Sequence, residues 1–204
     1  MKLESQTREK LLKAAKTEFM EKGYAKASLR SICKQADVTT GALYFFFQDK
    51  EDLFGSLVEE PLNQMHMYMK QHYMWELQEL NNSPMDKCDF SEDSKTALMI
   101  VSYMFQFHDA FVLLLTKANG SKYENCTDEF VKLTEAHYRI FADRMSIYYK
   151  TDRVDDYTIH WLAHLQIFSF VQLITHNITR EDAIKQMDTI VKFMISGWFG
   201  IYKQ

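Results

Sequence analysis

A chain of 204 residues with 47% hydrophobic and 25% charged side chains has the make-up of a globular protein of one large domain, or of a small domain joined to a larger one. Six glycines and two prolines are too few for the turns of a β-rich fold, so an all-α fold is expected. The longest apolar run, Ala110 to Leu115, is too short to span a bilayer, and Met1 to Thr7 carry no apolar segment of the secretory kind, so no membrane partner is expected. Cysteines at 33, 88 and 126 cannot all pair and lack metal spacing, which reads as a cytoplasmic chain with no structural metal. The net charge of −4 hides an asymmetry: residues 1–50 hold ten Lys/Arg against six Asp/Glu, and residues 51–204 hold fourteen against 22. A basic head on an acidic body directs a polyanion to the head alone.

The first helix is expected over Thr7 to Lys22, with Thr7 as N-cap and Gly23 just past its end. Leu12, Ala15 and Phe19 share one face, with Leu11 beside them. A short helix follows from Ser28 to Gln35, then a tight turn at Asp37, which tolerates left-handed geometry, then a second short helix from Thr39 to Phe46. Two short helices joined in this way form a helix-turn-helix. Asp49 opens the next helix with Asp52 imitating a capping box, and the apolar pattern runs on to about Leu80. Pro61 should kink or break it. Residues 81–95 read as a polar loop, followed by helix from Lys95 to Ala118, with a possible break near His108-Asp109, and a turn at Asn119-Gly120-Ser121. Further helices are expected over about 125–149, 156–176 and 179–202, the last opened by Thr179 and Asp182.

The head contains the residue types that major-groove recognition needs. A helix presents its N-terminal residues to base edges. Thr39 and Thr40 can donate, accept and offer a methyl group. Gly41 lets the backbone come close, and Tyr44, one turn on, can reach a phosphate. Arg30 can reach a phosphate or the groove, and Lys50 sits at a helix N-terminus, where phosphate is favoured. Phe45 offers apolar contact where a polar group would otherwise read bases, and Leu43 and Phe47 should face a small core with Phe19 and Ile32. Singly, Thr39 could be only a cap, Tyr44 only a half-buried aromatic and Lys50 only a solvated charge. Together, at this spacing, they point to DNA.

Residues 7–54 resemble the DNA-binding domain of TetR-family transcriptional regulators. Ala15 and Phe19 before Gly23-Tyr24, Ser28-Leu29-Arg30-Ser31-Ile32, Val38-Thr39-Thr40-Gly41-Ala42-Leu43-Tyr44, and Phe47-x-x-Lys50-Glu51-Asp52-Leu53 carry the resemblance at fixed spacing. Residues 105–130, especially Gly120-Ser121-Lys122-Tyr123-Glu124-Asn125, also look like regulatory-domain sequence of some members. Two positions depart from the pattern: Asp37 stands where the family usually has glycine at the turn, and Phe45 and Phe46 stand where His, Tyr or Trp are common. The resemblance implies a three-helix DNA-binding domain at 1–50 and a larger helical domain at 51–204 for effector binding and dimerisation. It implies a regulator without catalysis, most often a repressor, that binds a double-stranded palindromic operator as a homodimer and answers to a small molecule.

Methionine and aromatic residues are dense in the body, and such side chains line adaptable pockets as well as ordinary cores. Met69, Tyr103, Met104, Phe107, His108 and Phe111 are the candidates for a pocket holding a small apolar or aromatic effector. The last two helices carry more large apolar residues than one buried stripe requires, so a dimer face is expected there, with His160, His164, Ile167, Met187, Val191, Met194 and Trp198 as its residues. His160 and His164, four apart, lack a third ligand and are read as a helix contact rather than a metal site. No nucleophile elbow, phosphate-binding loop or spaced carboxylate pair supports an enzyme, and no cofactor is implied. The competing class is an all-α small-molecule-binding module or enzyme that uses the apolar body; a DNA-retardation assay separates the two.

Overall fold

The computed structural model describes residues 2–82 and 91–202, and every regular element among them is a helix. In chain order these are α1 (Lys2–Lys26), α2 (Leu29–Ala36), α3 (Thr40–Phe46), α4 (Lys50–Asn82), α5 (Ser91–Gln106), α6 (His108–Thr116), α7 (Cys126–Tyr149), α8 (Asp156–Thr175) and α9 (Arg180–Tyr202).

Local chemistry sets most of the boundaries. Ser28 caps α2 by accepting the Ser31 amide, and Thr39 caps α3 by accepting the Ala42 amide at 3.1 Å. Asp49 accepts the Asp52 amide at 2.8 Å while the Asp52 carboxylate accepts the Gln48 amide at 2.9 Å, tying the entry to α4 from both sides. Asp155 caps α8 through the Thr158 amide, and Thr179 caps α9 through the Asp182 amide at 3.1 Å. Asp37 adopts the left-handed conformation (φ 55°, ψ 49°) that the turn between α2 and α3 requires, and its amide reaches back to close α2.

Three expectations change. α1 begins at Lys2 rather than Thr7, and regular helix fails at Gly23 (φ 72°, ψ 164°) before one more turn to Lys26. α4 runs without interruption through Pro61 to Asn82, so the proline does not end it. Within the expected loop 81–95, residues 81–82 and 91–95 are helical, and residues 83–90, with Pro84 and Cys88, lie outside the described residues. The break expected near His108-Asp109 is present, at Phe107, whose backbone (φ −112°, ψ 38°) leaves the helical region before α6 starts.

The chain divides into two compact units. The first comprises Met1–Gln64 and Phe107–Cys126. Leu11, Ala15 and Phe19 of α1, Ile32 of α2, Leu43 of α3, Phe47, and Leu53 and Phe54 of α4 are all buried in it. Phe54 meets Phe19 edge-on at 5.0 Å and Tyr123 at 5.9 Å. The later segment is also joined by polar bonds: the Tyr24 amide donates to the Lys117 carbonyl at 2.7 Å, and the Lys16 ammonium pairs with Asp109 at 2.6 Å. The second unit comprises Met65–Gln106 and Thr127–Gln204. One of its clusters joins Ala97 and Val101 of α5, Leu173 of α8, and Ala183, Met187 and Val191 of α9. A second joins Phe141 and Met145 of α7 to Tyr202, with Trp198 packed alongside.

Candidate nucleic-acid interface

Helix α3 is amphipathic in the simplest way available to seven residues. Leu43 is its buried anchor, and Phe47, just past its end, is buried as well. Thr39, Thr40, Gly41, Tyr44 and Phe45 are exposed on the other side, Tyr44 at 54% and Phe45 at 72%. Gly41 is not imposed by packing: a Cβ there would meet only Thr39 Oγ1 at 3.9 Å. Arg30, near the start of α2, is exposed too. Six of the seven residues expected to contact DNA are therefore exposed, five of them on α3 or its cap.

Lys50 departs from that expectation. Its ammonium donates to the carbonyls of Ala25 at 3.3 Å and Ala27 at 3.1 Å and lies 4.5 Å from the Tyr24 ring centre. Burial lowers its pKa from the ordinary lysine value. The side chain is spent on carbonyls left open where α1 ends and α2 begins.

A residue not foreseen from sequence holds the two-helix reader on its support. Glu18 of α1 is fully buried, and its carboxylate accepts from the Ser28 amide at 3.2 Å, the Ser31 hydroxyl at 2.8 Å, the Gln35 amide at 2.9 Å and the Lys22 ammonium at 2.7 Å. Burial alone would raise its pKa, but the hydrogen bonds from Lys22, Ser31 and Ser28 outweigh that and hold the carboxyl below its usual range. The signal was present: Leu11, Ala14, Ala15, Glu18 and Phe19 form one i, i+3, i+4, i+7, i+8 stripe, and a carboxylate on such a stripe needs donors facing it.

The effector candidates divide between the units. Met69, Tyr103 and Met104 belong to the second, where Met69 and Met104 are buried and Tyr103 meets Tyr68 edge-on at 5.2 Å. Phe107, His108 and Phe111 belong to the first. The dimer candidates also separate. Ile167, Met187 and Val191 are buried in the chain's own core, and Met194 is half-buried. Trp198 packs edge-on against Tyr138 at 4.8 Å and Phe141 at 5.4 Å. Only His160 and His164 lie outward, their rings 4.5 Å apart, with His160 Nδ1 3.1 Å from Glu135. The exposed apolar row on α8 and α9 is instead Tyr157, Trp161, Leu165, Phe168, Phe193 and Ile201.

Among the described residues no single helix is long and apolar enough to cross a membrane. The family description "Bacterial regulatory proteins, tetR family" matches residues 11–57, the span that holds α2, α3 and the start of α4. The repressor BepR of Brucella suis is 44% identical over 54 residues, 26% of each chain. The uncharacterised HTH-type regulator YdgC of Bacillus subtilis is 31% identical over 104 residues, 51% of this chain and 48% of that one. The chain thus spans about a quarter and about half of these two relatives. In fold, a putative TetR-family regulator from Syntrophomonas wolfei superposes with a TM-score of 0.56 at 22% identity, covering 94% of this chain and 96% of that one. Residues 11–57 thus carry a domain similar to the DNA-binding domain of bacterial regulatory proteins of the tetR family, and the chain as a whole is similar in fold to a solved protein described as a TetR-family regulator.

Proposed function

We propose that this chain is a cytoplasmic, ligand-responsive transcriptional repressor that binds a palindromic double-stranded operator as a homodimer, with DNA binding in residues 1–50 and effector binding and dimerisation in residues 51–204. The observation that carries the DNA-binding part is the exposed set Thr39, Thr40, Gly41, Tyr44 and Phe45 on α3 and its cap, anchored by buried Leu43 and Phe47. Thr39 and Thr40 read base edges from the helix N-terminus, Gly41 admits close approach, Tyr44 and Arg30 position the head on phosphates, and Phe45 meets thymine methyl groups. Repression is the sign that BepR, described as a repressor, supports.

A two-fold dimer would present two α3 helices about 34 Å apart, one turn of B-DNA. The exposed row on α8 and α9 supports that dimer: Trp161 is 58% and Phe193 69% exposed in the single chain, and such a patch is costly in water. Gly197 and Gly200, with nothing within 4 Å of a Cβ at either, leave room beside Phe193 and Ile201 for a partner helix. A small apolar or aromatic effector, held in the second unit among residues such as Met69, Tyr103 and Met104, would relieve repression by binding the DNA-free conformation more tightly than the DNA-bound one.

Electrophoretic mobility shift with the DNA upstream of the chain's own gene tests the reading. A discrete complex that resists excess non-specific DNA is expected. A chain that binds all DNA alike, or none, overturns it.

A further inference from the structure

In the second unit, four titratable side chains with no part in the proposed DNA contacts meet where α4, α5 and α7 come together. His72 and Glu76 lie one turn apart on α4, Asp93 stands in the first turn of α5, and His137 is on α7. His72 Nε2 is 3.1 Å from Asp93 Oδ1 and 3.9 Å from Glu76 Oε2. One ligand atom from each of these three residues lies within 4.8 Å of the other two. All three side chains are mostly buried, at 14%, 16% and 17% exposure for His72, Glu76 and Asp93.

We propose that His72, Glu76 and Asp93 bind a divalent transition-metal ion such as Zn²⁺, with His137 fixing the orientation of Glu76. Bonds of about 2.0–2.2 Å to nitrogen and oxygen place tetrahedral ligand atoms about 3.3–3.5 Å apart, a spacing that these three atoms already bracket. One imidazole and two carboxylates without a thiolate suit a first-row divalent ion, and water completes the coordination. Two carboxylates share the place, and among the described residues no lysine or arginine pairs with either.

The surroundings are already arranged as metal sites require. His137 Nε2 lies 2.7 Å from Glu76 Oε2, so its N–H can donate there and hold the carboxylate. The His137 ring stacks on Tyr73 at 4.1 Å with an interplanar angle of 4°, and the Tyr73 hydroxyl is bonded to Thr134 at 2.9 Å. The His72 ring stacks on Trp75 at 5.9 Å. Each imidazole is thus held by an aromatic neighbour, and three helices are pinned around one point.

The test uses the full chain after treatment with a chelator, and no DNA, so its outcome is separate from that of the regulatory reading. Titration with Co²⁺, followed by visible absorption, should give one strongly bound ion per chain that Zn²⁺ displaces. Asp93→Asn and Glu76→Gln should each weaken binding at least ~10-fold, and His137→Phe by roughly 10–100-fold through the freed Glu76 carboxylate. The double variant His160→Ala/His164→Ala should bind as the parent does. Circular dichroism checks that each variant folds; Asp93→Asn is nearly isosteric, so its result stands if His137→Phe fails to fold. Absence of stoichiometric binding by the parent chain overturns the proposal, as does binding that survives both Asp93→Asn and Glu76→Gln.

Discussion

The base-reading role proposed for Thr40 and the phosphate-positioning role proposed for Arg30 fail differently when removed. Thr40→Ala should relax preference at one base pair, by about 1–3 kcal/mol, with little change in binding to unrelated DNA. Arg30→Ala should weaken binding to every sequence and reduce the salt slope by about 1. Lys50→Met should leave that slope unchanged but lower the melting temperature, because its ammonium already serves the carbonyls of Ala25 and Ala27. Binding measured over a salt series distinguishes the three, and a slope change in Lys50→Met would return that residue to the DNA contacts. Glu18 is a question of stability. All four of its partners are donors, so Glu18→Gln turns an amide NH₂ toward donors and should cost roughly 2–3 kcal/mol by urea unfolding. Its folded pKa lies below the ordinary value of 4.5, so the charged form favours folding above that pH. That contribution is lost as pH falls from there through the lowered folded value. The parent chain should therefore lose more stability than Glu18→Gln between pH 6 and pH 3, pH values taken about the ordinary carboxylate range.

At the level of helices, the turn between α2 and α3 is the place where one residue sets an element. Asp37 holds a left-handed conformation that costs an L-residue about 1 kcal/mol and costs glycine almost nothing in strain. Asp37→Gly should raise stability by about 0.5 kcal/mol once the extra freedom of glycine in the unfolded chain is subtracted, whereas Asp37→Val should lose more than about 1 kcal/mol. Equal midpoints for both variants in urea would show that the turn is not strained. The caps of α2, α3, α4 and α9 were legible in sequence because a cap is an interaction over three residues. The same holds for buried Leu43, Phe47, Phe19 and Ile32, which follow from periodicity. Lys50 was not legible, because its partners lie 23 and 25 residues away. Nor was the fate of Pro61, since its effect on a helix depends on what packs around the freed carbonyl.

The whole chain sets a different limit on sequence reading. Met187 and Val191 form an apolar line on α9, and periodicity cannot say whether such a line meets the chain's own core or a second copy. They meet Ala97, Val101 and Leu173. Exposed Trp161 and Phe193 then carry the dimer proposal. Trp161→Glu together with Phe193→Glu should turn a dimer into a folded monomer at micromolar concentration, read by sedimentation, and an unchanged species would remove α8 and α9 from the interface. The first unit is also discontinuous, closed by Phe107–Cys126 as well as by Met1–Gln64. Cutting the gene after codon 64 would therefore discard Lys117, which accepts from Tyr24, Asp109, which pairs with Lys16, and Tyr123, which lies against Phe54. A chimaera that borrows this reader for another regulator must therefore transplant both pieces to keep those three contacts.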